Sequence, residues 1–329
     1  TDGNEFKITH GWASDYDKNT CDTYAENIAK AHGNSIFCKN VTELNISELE
    51  PIDGFAYGFP CNDFSLVGEQ KGLTGVFGGL YCYGIKVIDR FNPKFIVAEN
   101  VGGLSSSNEG KAFKLIINEL KSAGNVGYNL TVHKYKSEEY GVPQKRHRII
   151  IVGIRKDLGL TFKVPAPTTK EKHVTAKMAL ENPPINSNVS NQELTRQSSV
   201  VVERLSYIKP GQNVWNATMP DHLRLNVKGA RLSQIYRRLH PDKPSYTITG
   251  SGGGGTHGYH YEELRALTNR ERARIQSFPD NFKFIGTKES VRKQIGMAVP
   301  PLLAKVVFTS ILKTFAGLDY DTVESNLKL

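Results

Sequence analysis

The sequence is poor in cysteine and in clusters of metal-binding side chains. Its 329 residues contain four cysteines, Cys21, Cys38, Cys61 and Cys82, and no two of them form a C-x-x-C pair. So few thiols in a chain of this length indicate a reducing compartment and exclude a disulfide-stabilised scaffold. Because no histidines or cysteines have the spacing of a metal site, no metal ion is predicted.

Long apolar runs are also missing. The longest, residues 149–154, has the length of a strand, whereas a membrane helix needs about 20 mostly apolar residues. We therefore expect no contact with a membrane. The first residues also lack the basic and then apolar pattern of a secretion signal, so we expect a cytoplasmic protein.

Basic residues, by contrast, are abundant in the C-terminal part. The net charge is +9; residues 1–133 contain 11 basic and 16 acidic side chains, whereas residues 134–329 contain 31 and 17. This asymmetry favours a polyanionic partner for the C-terminal part, although a solvated basic surface would have the same composition. The basic residues cluster at 145–148, 237–238 and 270–274.

Residues 1–155 alternate between strand and helix patterns. Such alternation favours an α/β fold with a mostly parallel sheet that helices cover on both faces. In these sheets functional side chains collect at the carboxyl ends of the strands. Asp15, Cys61 and Glu99 each end or follow a predicted strand.

The sequence changes in character after residue 163, where proline, asparagine and serine become frequent and periodicity is lost. We predict one domain at 1–169, a smaller loop-rich domain at 170–285, and a return to the first domain at 286–329. Within the second domain, residues 247–255 are predicted to be a strand that runs into a flexible glycine loop.

Cys61 follows a predicted buried strand in a tight Pro-Cys loop. A thiol in this position can attack a substrate in a cleft, and its thiolate is the reactive form. An ordinary buried thiol remains the alternative for Cys61, and it is the preferred interpretation for Cys21, Cys38 and Cys82.

Charged residues mark two further positions. Glu99 ends an apolar strand, where a carboxylate is costly unless it has a function or a partner. Alternation along a strand would place Gln144, Arg146 and Arg148 on one face, and two guanidinium groups there suit a phosphate or a flipped base. Two alternatives remain open. Glu99 could be a helix cap or a member of an ion pair, and the arginines could lie on a charged edge strand.

Asp15 and Tyr16 end the first predicted strand. An acidic residue at such an end binds ribose hydroxyls in nucleotide sites when a glycine fingerprint precedes it. Here only Gly3 and Gly11 precede it, and the glycines at 252–255 lack the Lys-Ser/Thr pair of a phosphate loop.

Five segments occur along the chain in this order: GFPCNDFS, VAENVGG, QKRHRIIIVG, RALTNRERARIQSFPDNF and RKQIGMAVPPLLA. In order and spacing they resemble the DNA (cytosine-5) methyltransferases, and in particular the bacterial restriction–modification enzymes of that family. The resemblance covers nearly the whole chain except residues 170–245, where the family has its variable target-recognition region. It implies a Rossmann-like, S-adenosylmethionine-dependent methyltransferase sheet with a smaller, loop-rich DNA target-recognition domain.

The resemblance assigns catalytic roles residue by residue. Cys61 matches the nucleophile of the Pro-Cys motif, and Glu99 matches the glutamate that contacts N3 and the amino group of the flipped cytosine. Arg146 and Arg148 match the Gln-x-Arg-x-Arg motif, and Arg146 is expected to touch the base and its phosphates.

The resemblance also implies cofactor and DNA contacts. Asp15 and Tyr16 match the pair that holds the ribose and adenine of S-adenosylmethionine. Further cofactor contacts are expected at Asn40, Val41, Pro60, Ala298 and Val299, and DNA contacts at Ser65, Arg237 and Arg238.

The sequence departs from the family in three places. Asn62 replaces a glutamine, Met297 replaces an asparagine, and the Phe-x-Gly-x-Gly-Gly motif that comes first in the family is absent ahead of Asp15. We therefore expect an N-terminally incomplete enzyme that binds S-adenosylmethionine poorly, because the carboxylate tail of this cofactor needs backbone amides from a glycine loop.

The implied activity is methyl transfer from S-adenosylmethionine to C5 of a cytosine flipped out of a specific sequence in double-stranded DNA. The enzyme would act as a monomer on DNA, in the bacterial cytoplasm and associated with the nucleoid. It would protect DNA from a cognate restriction endonuclease that acts on the same sequence without contact. Two alternatives stay open: a tRNA cytosine-5 methyltransferase, whose Pro-Pro-Cys and Cys-Phe-Thr signatures are not found, and a non-catalytic DNA-binding module.

Overall fold

The computed structural model describes residues 6–30, 33–59, 79–101, 111–226, 232–253 and 255–327. The chain divides into two compact units. Unit 1 comprises Thr1–Lys136, His147–Ala166 and Lys305–Leu329, and unit 2 comprises Ser137–Arg146 and Pro167–Ala304. This division differs from the predicted one in two respects: residues 137–146 belong to unit 2, and the chain returns to unit 1 at Lys305 rather than at 286.

Unit 1 contains both strands and helices. In chain order they are β1 (Ala13–Asp15), α1 (Lys18–Asn27), β2 (Ile36–Cys38), β3 (Gly54–Gly58), α2 (Tyr81–Phe91), β4 (Phe95–Val101), α3 (Lys111–Ser122), β5 (Tyr128–Lys136), β6 (His147–Arg155) and β7 (Val164–Pro165). Each of α1, α2 and α3 stands between two strands in the chain. Unit 2 follows with α4 (Ala176–Glu181), α5 (Ser199–Ser206), α6 (Asn269–Ile275) and α7 (Lys288–Met297). The chain then forms α8 (Pro301–Ala316) and β8 (Thr322–Val323).

The main sheet of unit 1 is mixed. Its strand order is β3-β4-β6-β5: β3 and β4 are parallel, whereas β6 is antiparallel to both β4 and β5. β1 and β2 form a separate parallel pair. The α/β fold class is confirmed, but the prediction of a mostly parallel sheet is wrong for these four strands. β5 and β6 follow each other without a crossover helix, and a direct connection of this kind joins antiparallel strands.

Amphipathic helices cover this sheet. α2 and α3 contribute Ile88, Ile116 and Leu120 to a core in which Ile96 of β4 and Ile151 of β6 are also fully buried. Burying one such side chain contributes about 1.5 to 3 kcal/mol. Packing on the sheet, rather than helix propensity alone, therefore stabilises these helices.

One stretch of the described residues, Lys288–Ala316, has the length and hydropathy of a membrane helix. It consists of two helices, α7 and α8, and Leu303, Val307 and Ile311 of α8 are buried in the protein. Buried core helices of globular domains can have the same length and hydropathy as a membrane helix. The sequence did not indicate such a stretch because lysines interrupt its apolar residues.

Unit 2 consists of short helices joined by irregular segments. Residues 247–249, predicted as a strand, are irregular, and isolated bridges such as Gln144 with Ser245 replace ladders in the described part of this unit. α6 begins with a capping box in which Thr268 and Glu271 satisfy each other's backbone amides, as its Thr-x-x-Glu pattern predicts.

Buried arginines connect the irregular segments of unit 2. The Arg238 guanidinium donates hydrogen bonds to five carbonyl oxygens. The Arg270 guanidinium donates to three more, those of Ser190, Pro279 and Phe282. Backbone carbonyls outside ladders still need donors, and a guanidinium supplies five N–H groups. Much of the positive charge at 237–238 and 270–274 is therefore structural, which corrects the inference that these clusters form a surface for a polyanion.

Candidate active site

An ion pair joins two strands of the main sheet at the end of β4. The Nε atom of Arg148 lies 2.7 Å from Oε1 of Glu99, and the two side chains are 12% and 23% exposed. Strand pairing explains their proximity, because Val101 lies opposite Arg148 in the antiparallel β4–β6 register. An unpaired carboxylate in an apolar strand would be costly, and Arg148 is the cation that pairs with Glu99.

The Glu99 carboxylate also faces the end of β3. Gly58 and Glu99 are paired in the parallel register of β3 and β4. A Cβ atom on Gly58 would lie 3.4 Å from Oε2 of Glu99. The end of β3 therefore adjoins the carboxylate, and Pro60-Cys61 follow β3 and Phe59 in the sequence. Pro60, Cys61 and Ser65, predicted as site residues, lie outside the described residues.

Asn100 holds the backbone at the point where β3 ends. It is buried, and its Nδ2 atom donates a hydrogen bond of 2.8 Å to the carbonyl oxygen of Phe59. Its Oδ1 atom accepts from the amide of Val101 at 2.8 Å. The sequence prediction assigned a role to Glu99 but none to Asn100. The sequence did contain a signal for Asn100, because it is a second polar residue beside Glu99 at the end of an apolar strand.

Arg146 and Arg148 lie in different environments. β6 begins at His147, and Arg146 belongs to unit 2, where its 1% exposed side chain donates to the carbonyl oxygens of Ile248 (3.2 Å) and Gly296 (2.8 Å). The prediction that Gln144, Arg146 and Arg148 share one strand face is wrong, because the strand starts after two of them. Arg148 pairs with Glu99, the residue expected to bind the base.

A second cluster of predicted site residues lies at the end of the β1–β2 pair. Asp15 ends β1, and its Oδ1 atom accepts a hydrogen bond of 2.8 Å from the amide of Asp17. The next side chain, Tyr16, is 70% exposed. Asn40 follows β2 and caps the single turn Val41–Glu43. A carboxylate, an open aromatic ring and a polar turn at one sheet end are suited to a ribose and a planar base.

Ala298 and Val299 belong to unit 2 and follow α7 directly. The Ala298 amide donates to the carbonyl oxygen of Gln294 and ends the helix. Its own carbonyl oxygen accepts from Nε2 of Gln276 at 2.7 Å. Met297, which stands where the family has asparagine, is exposed. Hydrogen bonds to other residues of unit 2 thus fix the backbone of this segment.

The glycine-rich segment packs against α7 instead of forming the predicted flexible loop. A Cβ atom on Gly252 would overlap the guanidinium of Arg292, and one on Gly296 would overlap the backbone of Thr249 and Gly250. The Arg292 guanidinium also donates to the Gly252 carbonyl oxygen at 3.3 Å. Gly296 therefore permits the close approach of two backbones, and Gly252 leaves room for the Arg292 guanidinium.

The two arginines predicted to contact DNA differ in burial. The Arg238 side chain is 6% exposed and donates hydrogen bonds to backbone carbonyl oxygens, so we do not propose a phosphate contact for it. Arg237 is half-buried, and its guanidinium lies 4.5 Å from the ring centre of Tyr246. Arg237 therefore remains a candidate for a DNA contact.

This difference predicts opposite phenotypes for neighbouring substitutions. Arg238→Met should lower the free energy of unfolding by about 2 kcal/mol or more, because buried carbonyl oxygens lose their donors. Arg237→Met should lower stability by only about 0.5 to 1 kcal/mol, through loss of the contact with the Tyr246 ring, but it should weaken DNA binding and reduce the slope of log affinity against log salt by about 1. Thermal unfolding and salt-dependent anisotropy titrations measure the two effects. Equal loss of stability in both variants would contradict this assignment.

Comparison with known proteins gives a consistent match. Residues 4–313 match the family model described as C-5 cytosine-specific DNA methylase. The Type II methyltransferase M.BbvI of Brevibacillus brevis is 58% identical over 327 residues, which covers 98% of this chain and 87% of that relative. The Type II methyltransferase M.NgoFVII of Neisseria gonorrhoeae is 41% identical over 327 residues, which covers 97% and 84%.

Solved structures show the same fold at lower identity. A prophage-encoded protein of E. coli superposes with a TM-score of 0.71 at 22% identity, covering 93% of this chain and 92% of that chain. The methyltransferase EhMeth of Entamoeba histolytica superposes with a TM-score of 0.64 at 15% identity, covering 93% and 90%. At these identities the likeness concerns the α/β fold alone.

Proposed function

Because this chain belongs to the C-5 cytosine-specific DNA methylase family, we propose that it methylates C5 of a cytosine that it flips out of a specific DNA duplex. One observation carries the proposal: the Glu99–Arg148 pair adjoins the end of β3, which leads directly into Pro60-Cys61. Glu99 and Arg148 thus lie beside the strand end that precedes the Pro-Cys segment in the sequence. A base that is to be modified at C5 must leave the stack, at a cost of a few kcal/mol.

Cys61 is the proposed nucleophile. C5 of cytosine is a poor nucleophile, and addition of the Cys61 thiolate to C6 converts the ring into an enamine whose C5 can attack a methyl group. After transfer the C5 proton leaves, and elimination of the thiol restores the aromatic ring. The thiolate is the form that adds, so a cation near the loop would assist it.

Glu99 is proposed to bind N3 and the exocyclic amino group of the flipped base. Arg148, on β6, pairs with Oε1 of the carboxylate, and Oε2 lies on the side of Gly58 of β3. Glu99 stabilises the protonated form of N3 by accepting a hydrogen bond from it, and this offsets the charge that develops on the ring as the thiolate adds to C6. Arg148 therefore orients the group that polarises the base.

The residues at the end of β1 fit S-adenosylmethionine, whose sulfonium supplies an electrophilic methyl group when bound. Asp15 would accept hydrogen bonds from the ribose hydroxyls, and the exposed ring of Tyr16 would stack on the adenine. Asn40 and Val41 would line the adenine edge. Pro60, Ala298 and Val299 complete the proposed set.

Unit 2 is proposed to contain the DNA target-recognition region, at about 170–285. Its irregular segments offer many side-chain directions for reading base edges, and Arg237 is one candidate phosphate contact. We further propose that the protein acts as a monomer on double-stranded DNA in the bacterial cytoplasm and protects that DNA from a cognate restriction endonuclease.

A direct assay tests the proposed activity. The purified protein is incubated with unmethylated double-stranded DNA and S-adenosylmethionine that carries a deuterated methyl group. We expect labelled 5-methylcytosine in the nucleoside mass spectrum, and bisulfite sequencing then locates it within one recognition sequence. Labelled N4-methylcytosine or N6-methyladenine, or no labelled base at all, would contradict the proposal.

Asn100 is predicted to position the Pro-Cys loop. Asn100→Asp keeps the size of the side chain but removes the donor to the Phe59 carbonyl oxygen, so the loop should lose its alignment with the base. We expect kcat to fall on the order of 10-fold to 100-fold, with a smaller change in KM for DNA. Asn118→Asp, on the exposed side of α3, is the matched control. An unchanged kcat in Asn100→Asp would show that this hydrogen bond does not position the loop.

A further inference from the structure

Two thiols lie beside the backbone that carries Asp15 and Tyr16. Cys21, in the first turn of α1, is 5% exposed, whereas Cys38, at the end of β2, is exposed. The Cys21 sulfur donates to the carbonyl oxygen of Asp15 at 3.3 Å, and the Cys38 sulfur lies 4.0 Å from the carbonyl oxygen of Tyr16. Because the two acceptors belong to consecutive residues, the two sulfurs lie against the same backbone turn.

The fold places the two thiols beside the same turn. Asp15 and Cys38 are partners in the parallel β1–β2 register, and α1 begins directly after the turn. Burial and then a side-chain hydrogen bond with Cys38 raise the pKa of Cys21 to about 12. The ammonium of Lys18, which is paired with Asp22, interacts electrostatically with both thiols.

We propose that Cys21 and Cys38 form a reversible disulfide under peroxide and that this disulfide impairs the cofactor site. The proposal names a modification site outside the Pro-Cys motif. It rests on the proposed function, since Asp15 and Tyr16 are the residues assigned to S-adenosylmethionine.

The chemistry needs a hydroperoxide as the oxidant. Cys38 is the exposed thiol and has a cation nearby, so its thiolate attacks one peroxide oxygen; an S–O bond forms, the O–O bond breaks, and hydroxide leaves. The sulfur of Cys21 then attacks the Cys38 sulfenic acid. An S–S bond forms, the S–O bond breaks, and the hydroxide takes up the Cys21 proton to leave as water. Two thiols have lost two electrons to one peroxide.

The disulfide changes the site in two ways. Neither sulfur carries a hydrogen any longer, so the carbonyl oxygens of Asp15 and Tyr16 lose their thiol donors. An S–S bond of about 2.05 Å also ties the first turn of α1 to the end of β2 with a fixed dihedral preference. Both changes act on the backbone between these elements, which carries the proposed ribose and adenine contacts.

Peptide mapping of the Cys61→Ser protein tests disulfide formation without interference from the proposed nucleophile. Trypsin cuts after Lys18, Lys30 and Lys39 and so places Cys21 and Cys38 in separate peptides. After treatment with hydrogen peroxide we expect a linked pair of peptides, two hydrogens lighter than their sum, that dithiothreitol separates. Cys38→Ser should abolish the linked pair, whereas Cys82→Ser should retain it.

Cofactor affinity tests the consequence. In the same protein, oxidation should weaken S-adenosylmethionine binding by at least about 10-fold, equivalent to about 1.4 kcal/mol, and dithiothreitol should restore it. Cys38→Ser should bind equally with and without peroxide. Absence of the linked peptides, or linked peptides with unchanged affinity, would overturn the proposal. A reduced protein with no measurable affinity would instead contradict the proposed function, and the peptide map would still decide whether the disulfide forms.

Discussion

Replacing Cys61 by serine is expected to lower methyl transfer by at least about 10³-fold while leaving DNA affinity nearly unchanged. A serine hydroxyl stays protonated at neutral pH and is a far weaker nucleophile than a thiolate, so addition to C6 should become the limiting step. DNA contacts do not require the sulfur. Nucleoside mass spectrometry after single turnover measures the first effect, and anisotropy titration measures the second.

Trapping of the covalent intermediate provides the sharper measurement. In 5-fluorocytosine DNA the fluorine cannot leave as the C5 proton does, so the enzyme remains attached through its sulfur after transfer. We expect an adduct that survives denaturing electrophoresis with the unaltered protein and with Cys82→Ser, whose half-buried thiol lies in α2. An adduct formed by the Cys61→Ser protein would refute the assignment of the nucleophile.

Replacing Gly296 by alanine is expected to destabilise unit 2 by about 3 kcal/mol or more, the upper end for overpacking in a protein interior. The added methyl group would overlap the backbone of Thr249 and Gly250. Backbone atoms cannot rotate away as a flexible side chain can, so α7 or the glycine-rich segment must shift. The Gly296 carbonyl oxygen also accepts from Arg146, and that contact would move with the helix.

Gly253→Ala is the matched control for this prediction. It lies in the same glycine-rich segment, yet a Cβ atom there would meet nothing within 4 Å. We expect its thermal midpoint to stay close to that of the unaltered protein, while the midpoint of Gly296→Ala falls by several degrees. Similar midpoints for the two alanine variants would show that the segment is mobile, as the sequence first indicated.

Buried arginine is a recurring structural element of unit 2. Arg238, Arg270 and Arg146 each donate to carbonyl oxygens that no strand ladder satisfies. Burial lowers the pKa of Arg238 and of Arg270, but both stay charged because a guanidinium titrates far above neutral pH. Net charge therefore overstates the basic surface that this unit can present to DNA.

The sequence by itself determined the local elements and the family. The apolar spacing of 81–91 and 111–122 corresponds to α2 and α3, and the Thr-x-x-Glu pattern marks the start of α6. These features depend on residues a few positions apart, which is the range over which helix periodicity and capping act. The ordered family motifs can likewise be recognised from the sequence alone.

Tertiary structure alone decided which charged side chains meet. Arg146 and Arg148 look equivalent in the sequence, yet β6 starts between them, so one donates to carbonyl oxygens of unit 2 and the other pairs with Glu99. The antiparallel place of β6 beside β4, the anchoring of Phe59 by Asn100 and the close packing of Gly296 depend on residues far apart in the chain. Such contacts are set by which backbones lie side by side, and local patterns do not contain that information.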